Sequence, residues 1–490
     1  MLFNSLDFAV FIIIVFLIYW FIVNKNLKHQ NGFLLLASYF FYGFWDWRFL
    51  LLLIIVSLIN YFIGIEIDKS LFKKRRKTYL LIGLVINIGI LGVFKYYNFF
   101  IDSFIDFLSL FGYHLQRSST RILLPLGISF YTFLSLSYII DIYKKNLSAD
   151  SNIIDVLLTL SFFPIILAGP IQRPSTLLPQ IAEKRKFEFE NAVDGLRQIL
   201  WGLFVKIAIA DNIATPADDI FQNFSHYSGS TLLLGAVLYS IQIYADFSGY
   251  SNIAIGTAKL FGFNLMRNFD NPYFSRDITE FWKKWHMSLT TWFRDYLFLP
   301  ISFAISWRIK NERVFFLKTD QFIYIIASII TWFLIGLWHG ANYTFIIWGM
   351  INGFFLIIYH LQKKLRKRLF IKMGISNNQP IVVVIETIIT LSIVMITWIF
   401  FRADNMHHAL LYLNGIFSQS LFSLPQILPK KALLLMSLFI FFEWLQRKKE
   451  HTLQIENVKN ILIRWGLYFG VVYLILFLGG ASQKFIYFQF

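Results

Sequence analysis

Two histidines in this chain occupy settings where an imidazole is expensive to place and useful to have. His339 lies in the apolar run "IGLWHGANY" (335–343), between a tryptophan and a glycine. From Phe322 to Tyr359 it belongs, with Asn342 and Asn352, to a handful of strongly polar side chains. His286 lies in "DITEFWKKWHMSLTTWFRDYLFLP" (277–300), among Trp282, Trp285 and Trp292. An imidazole with an ordinary pKa near 6.5 can take a proton from a hydroxyl at neutral pH. An ionisable group at membrane depth is by default a functional candidate. The alternative is a core histidine satisfied by a neighbouring carbonyl, and the residues alone leave both readings open.

The rest of the composition narrows the chemistry. There is no cysteine, which excludes disulfides, thiolate metal sites and a cysteine nucleophile. Acyl or phosphoryl chemistry must then run through histidine, a hydroxyl or a carboxylate. No His-x-x-x-His pair or carboxylate-rich ligand set appears, so no metal and no bound cofactor is expected.

The elements that must position these residues are membrane helices. Of 490 residues, 57% are hydrophobic and 19% aromatic, against roughly 45–50% apolar in an ordinary soluble domain. Many runs reach the ~20 residues that cross a ~30 Å hydrocarbon core. Phe8–Val23, Phe49–Ile65, Tyr79–Phe94 and Ile381–Phe401 are clear cases. Reading each such run as one crossing predicts an all-α polytopic membrane protein with roughly ten to twelve spans. Phe8–Val23 lacks a basic leader and a small-residue cleavage site, so it is read as a span. No linker or soluble insert breaks the chain, which predicts one membrane-embedded domain over 1–490.

The net charge of +17 has a membrane explanation before a nucleic-acid one, and no nucleic-acid partner is expected. Lys and Arg concentrate in short segments: 73–77 ("KKRRK"), 363–368 ("KKLRKR") and 447–449 ("RKK"). Such segments stay on the cytoplasmic side and attract anionic lipid. Placing Lys25 and Lys28, the 73–77 cluster, and Lys144 with Lys145 inside puts the N-terminus outside. The polar stretch 172–191 is expected to be a cytoplasmic loop.

Between two apolar segments, 262–300 is charged and aromatic together. Asp277 has the spacing of a helix cap with Glu280 as its capping-box partner, and Pro300 is expected to end the helix. At 100° per residue, Phe281, Trp282, Trp285, Leu289, Trp292, Phe293 and Tyr296 share one face. His286 falls on the border of the polar one. Either an interfacial amphipathic helix or a re-entrant element lining a cavity fits. The 38 positions from Phe322 to Tyr359 would make a helix of ~57 Å, nearly twice what a bilayer needs. A break is therefore expected at Gly340–Asn342, beside His339. Broken backbone at that depth is tolerated only where protein or water surrounds it.

These stretches resemble the membrane-bound O-acyltransferases, most closely the bacterial branch of alginate O-acetylation proteins. The resemblance rests on 271–301 ("NPYFSRDITEFWKKWHMSLTTWFRDYLFLPI") followed by "GLWHGANYTFIIWG" (336–349). Supporting stretches are "LPLGISFYTF" (124–133), "AGPIQRP" (168–174), "YADFSGYSNIAIGTAKLFGF" (244–263) and "WIFFRADNMHHA" (398–409). It implies a fold of many tilted helices and re-entrant or interfacial elements around a central tunnel. Core motifs would lie within about 122–360, with further helices over 380–490. The family's active histidine maps onto His339 and its second histidine onto His286.

The resemblance further implies a cell-membrane enzyme that takes an acyl group, here acetyl, from a cytoplasmic thioester such as acetyl-CoA or an acyl carrier. The acceptor would be a hydroxyl of an extracytoplasmic polysaccharide, or a partner acetyltransferase outside the membrane. Trp285, Trp338 and Asn342, beside the histidines, are candidates for substrate contact. Arg294, Asp295, Asp246 and Ser248 are further candidates, each equally readable as a buried ion-pair or hydrogen-bond partner. Arg173 could face a carrier phosphate or a lipid headgroup. Rival readings are D-alanyl transfer to teichoic acid, a transporter, and a structural subunit of an export complex. A transporter should show repeated halves, and none is visible.

Overall fold

The computed structural model describes residues 1–116, 121–150, 152–374, 376, 378–456 and 458–488. Its helices fall into two compact units, Met1–Gly202 with Tyr250–Met266, and Leu203–Gly249 with Arg267–Phe490. Among the described residues the strands are one short hairpin, Arg313–Val314 against Leu317–Lys318. Eight helices among the described residues are long and apolar enough to cross a bilayer, from Trp47–Lys69 to Ile461–Leu478. Against the roughly ten to twelve crossings expected, further apolar helices are shorter. Leu6–Ile22 and Ile153–Ile166 are apolar but short. Ile128–Lys144 and Lys430–Leu445 run only 17 and 16 residues, about 24–26 Å at 1.5 Å per residue, against a ~30 Å core.

In the first unit Ile128–Lys144 is a core helix, with 14 of its residues buried, Ser129, Thr132, Ser135 and Ser137 among them. Ser137 donates to the Phe133 carbonyl at 2.9 Å, the back-bonding that lets a hydroxyl enter an apolar helix. The helix starts after Gly127, whose φ of +74° and contact with the Ile166 carbonyl leave no room for a Cβ. The stretch 172–191 is not a free loop. It forms the helix Pro174–Ala182 and then sends Arg185 into the interior. There the guanidinium donates to Tyr19 Oη at 2.8 Å, the Ile181 carbonyl at 2.7 Å, Gln30 and Asn31. A single arginine with this many acceptors ties three chain segments together.

In the second unit Thr319–His339 and Tyr343–Lys372 form a tight antiparallel pair. Gly336, Gly349 and Gly353 sit where a Cβ would strike the opposing helix, the small-residue contact that membrane helices use for close approach. The break between them falls where the sequence places it. Gly340 is extended, and a Cβ there would overlap the Phe345 ring. Asn342 caps the second helix, accepting from Thr344 N at 3.1 Å and donating to the Asp404 carbonyl at 2.8 Å.

The region 277–300 departs from the single helix expected. Asp277 caps Ile278–Lys284 as predicted, accepting from Thr279 N and Glu280 N at 2.9 and 2.8 Å. The helix then breaks at Trp285 and His286 and restarts as Met287–Phe293. The hydrogen bonds lost at the break are replaced by the segment 268–270: Met287 N donates to the Asn268 carbonyl at 2.9 Å, and Asp270 N to the Lys284 carbonyl at 3.0 Å. Pro300 does not stop the chain's helical course. A wide π turn, Arg294–Phe298, leads into Leu299–Arg308, where Pro300 falls in the first turn and its missing N–H costs least. The aromatic face is protein core rather than lipid contact: Trp282 packs at 4.7 Å on Trp332 and 5.6 Å on Trp348.

Candidate functional site

The two helix breaks bring the two histidines together. His339 ends one helix and His286 heads another, and their ring centroids are 6.5 Å apart. Both are buried, with 4% and 1% of their surface exposed. His286 has φ +43° and ψ +53°, a left-handed conformation rare for a side chain of this size. Strain of this kind concentrates at functional sites. Its carbonyl accepts from Leu289 N and Thr290 N at 3.0 Å each, so the restarted helix holds it in that conformation.

The walls are aromatic. Phe247 stands edge-on to His286 at 4.6 Å; Trp348, Trp338 and Phe401 surround His339 at 4.8, 4.9 and 5.2 Å. Among the described residues neither ring nitrogen of His286 has a hydrogen-bond partner. Buried polar atoms are nearly always paired, and both nitrogens of this ring are left for partners outside the described residues. Burial also pushes the His286 imidazolium down to about pKa 3, which leaves a neutral ring with one N–H donor and one acceptor.

A tyrosine the sequence reading missed completes the group. The Tyr487 ring lies 5.7 Å from His339, 6.0 Å from His286 and 4.4 Å from Phe247. It is held there by a buried charge cluster. Lys206 Nζ sits 2.7 Å from both Asp211 Oδ1 and Asp246 Oδ1 and donates to the Gln483 carbonyl at 3.1 Å. The other Asp246 oxygen accepts from Ile486 N at 2.7 Å. Two carboxylates, one ammonium and backbone donors thus lash residues 483–486 beside the histidines. Lys206 lies in the π turn Phe204–Ala210. A lone cation in the apolar run "GLFVKIAIA" (202–210) was its visible signal.

The remaining candidates sort by position. Trp338 faces both histidines, 6.0 Å from His286. Trp285 forms the outer wall, packed on Trp398 and Phe269 at 4.9 and 5.0 Å. Asp246 is an anchor for the 483–486 segment, as described, and Ser248 is buried with its hydroxyl 3.4 Å from the Ala245 carbonyl. Asn342 is a helix cap. Arg294 and Asp295 pair with each other at 2.8 Å on an exposed stretch, with 60% and 36% of their side chains accessible, outside the aromatic enclosure. Arg173 belongs to the first unit, where its carbonyl caps Pro174–Ala182 by accepting from Thr176 N and Leu177 N. No group of three or more metal-ligating side chains is found among the described residues.

Fold and site together describe a polytopic membrane protein with two buried, facing histidines. The model of the membrane-bound O-acyltransferase family matches residues 34–401. The chain is 36% identical over 428 residues to the probable alginate O-acetylase AlgI of Pseudomonas aeruginosa, covering 87% of this chain and 77% of that one. It is 32% identical over 419 residues to the peptidoglycan O-acetyltransferase of Helicobacter pylori, covering 80% and 74%. With the teichoic acid D-alanyltransferase of Bacillus subtilis it shares 29% over 287 residues, 58% and 70% of the two chains. The chain belongs to the membrane-bound O-acyltransferase family and is an O-acyltransferase. Both histidines lie inside the matched region, and Tyr487 lies beyond it.

Proposed function

We propose that the protein takes an acetyl group from a cytoplasmic thioester, acetyl-CoA or an acyl carrier, and delivers it outside the membrane. The recipient is a hydroxyl of a cell-envelope polysaccharide, or a partner acetyltransferase that serves one. The observation that carries this reading is the pair of buried, facing histidines in an aromatic enclosure. The O-acetylating relatives match over 80% or more of the chain, whereas the D-alanylating relative matches 58%, which favours acetyl. The basic segments at 73–77, 363–368 and 447–449 support a cytoplasmic face there and an N-terminus outside.

His339 acts as general base, accepting the proton of the acceptor hydroxyl as its oxygen attacks the thioester carbonyl. The neutral His286 donates its N–H to the carbonyl oxygen as negative charge develops on it. When the tetrahedral intermediate collapses, the C–S bond breaks, the thiolate leaves, and the imidazolium of His339 returns the proton to sulfur. The aromatic walls exclude water, which would otherwise hydrolyse the thioester. The position of Tyr487 against both rings favours a two-step version, in which its phenol oxygen first takes the acetyl group and then gives it to the final hydroxyl.

Proteoliposomes test the direction. Radiolabelled acetyl-CoA is added outside vesicles in which the protein is inverted, with an acceptor oligosaccharide or purified partner trapped within. Label on the trapped acceptor supports transfer across the bilayer. Label appearing only on acceptor added to the donor side would refute it.

A further inference from the structure

Away from the histidines the second unit carries a partly open cavity of about 350 Å³, between residues 237–244 and the helices Pro380–Arg402 and Lys430–Leu445. Its interior is hydrocarbon, with Ile241, Leu391, Met395, Met436 and Ile440 on the walls. The polar groups that reach it are engaged elsewhere. Tyr244 donates to Glu443 at 2.5 Å, Tyr273 to the Ser240 carbonyl, and Asn271 to the Arg447 carbonyl at 3.4 Å. An apolar cavity of about 150 Å³ already stays dry and takes up benzene. This one is more than twice that size, and its apolar walls suit a hydrocarbon guest.

A second, charged pocket adjoins the cavity at Asn271, Phe274 and Thr387, which line both, and is taken as its mouth. Arg276, Lys284 and Arg447 stand there with Asp270 and Glu280. Lys284 pairs with Glu280 at 2.7 Å and Arg276 with Glu386 at 2.8 Å, so the mouth mixes both signs rather than presenting a bare cationic patch. It lies at helix ends, beside Val384 near the start of one helix and Arg447 just past the end of the other. From Val384 at the mouth to Met395 in the cavity is eleven residues of helix, about 16 Å at 1.5 Å per residue. That is half of a ~30 Å hydrocarbon core, the depth one leaflet's acyl chain occupies.

We propose that this cavity is a binding site for one acyl chain of a bilayer phospholipid with a zwitterionic head, such as phosphatidylethanolamine. The chain fills the cavity, the phosphate meets Lys284 and Arg447, and the ammonium meets Asp270 and Glu280. The inner wall of the cavity is Tyr244 and Tyr273, each 5.9 Å from Trp285, the residue that precedes His286. An occupied cavity therefore backs the wall on which His286 is set.

The test uses the purified protein in nanodiscs containing phosphatidylethanolamine with a diazirine on its acyl chain. After irradiation, label is mapped by peptide mass spectrometry. Label is expected at Met395 and Met436 as well as on the lipid-exposed helix Ile461–Leu478. Met436→Trp, which fills the cavity, should lower label at Met395 roughly fivefold, about 1 kcal/mol of binding, while label on Ile461–Leu478 stays constant. Leu391→Phe gives a milder version of the same change if the tryptophan variant folds poorly. Diacylglycerol carrying the same diazirine chain should label Met395 more weakly than the phospholipid. Label confined to the exposed helices, label at Met395 indifferent to both substitutions, or equal labelling by diacylglycerol would overturn the proposal.

Discussion

His286 and His339 face each other with ring centroids 6.5 Å apart, each delivered by a break in a different helix. The separation is too wide for a hydrogen bond between the rings, and among the described residues His286 makes none with either nitrogen. A reacting carbonyl fits between them, with the attacking hydroxyl oxygen bonded to one ring and the carbonyl oxygen to the other at ~2.7–3.2 Å. The arrangement suits one small reacting centre held between a base and a neutral donor.

The pH dependence separates the two roles. His286, depressed to about pKa 3 by burial, is neutral throughout the physiological range. A rate that depends on His339 as base rises with pH through an imidazole pKa, as the neutral form accumulates. His286→Gln should lower kcat yet leave that midpoint in place. The same depression makes His286 a source of acid lability: the unfolded chain binds a proton that the folded chain refuses. Its contribution is complete above pH ~6.5 and shrinks as pH falls toward 3, so the thermal midpoint should fall from pH 7 to pH 5 less steeply in His286→Gln than in wild type.

Lys206 stands between two buried carboxylates. Removing one member of a buried ion pair typically costs about 3–5 kcal/mol, because the others stay buried and uncompensated. Lys206→Met should therefore lower the thermal midpoint in detergent and loosen residues 483–486, read as faster proteolysis or hydrogen exchange there. The double variant Lys206→Met with Asp246→Asn should recover part of the loss.

Tyr487→Phe keeps the ring against Phe247 and the histidines and removes only the hydroxyl. Under the two-step route, transfer to the final acceptor should fall about 10²-fold or more, with melting unchanged. Retained transfer would assign the acetyl group a direct path from thioester to acceptor.

Gly340→Ala puts a methyl into the Phe345 ring. Overpacking of this kind costs about 1–3 kcal/mol and shifts the end of the helix that carries His339. Activity should drop more than stability, and Phe345→Leu should restore part of it.

Much of this was legible in the sequence, for physical reasons that differ by element. The break at 340–342 follows from length against bilayer thickness, and the Asp277 cap from local hydrogen-bond chemistry. The break at His286 was not legible, because the segment 268–270 that replaces its lost helical bonds is a tertiary partner. For the same reason Asp246 was noticed and Lys206 was not: 40 residues of chain separate them, and only the fold makes them neighbours. A buried core helix such as Ile128–Lys144 is as apolar as a lipid-facing one, so apolarity alone does not fix the number of crossings. Tyr487 carries no local mark at all, since its meaning comes from the lashing of 483–486.

The most direct test of the central claim is thioester turnover by purified protein in nanodiscs. Radiolabelled acetyl-CoA is supplied with a hydroxyl acceptor or the partner protein, and wild type is compared with His339→Ala. Wild-type turnover that falls 10²–10⁴-fold in the variant, with an unchanged melting profile, is the result expected of a general base. A well-folded His339→Ala protein that transfers acetyl at the wild-type rate would contradict the role assigned to this histidine.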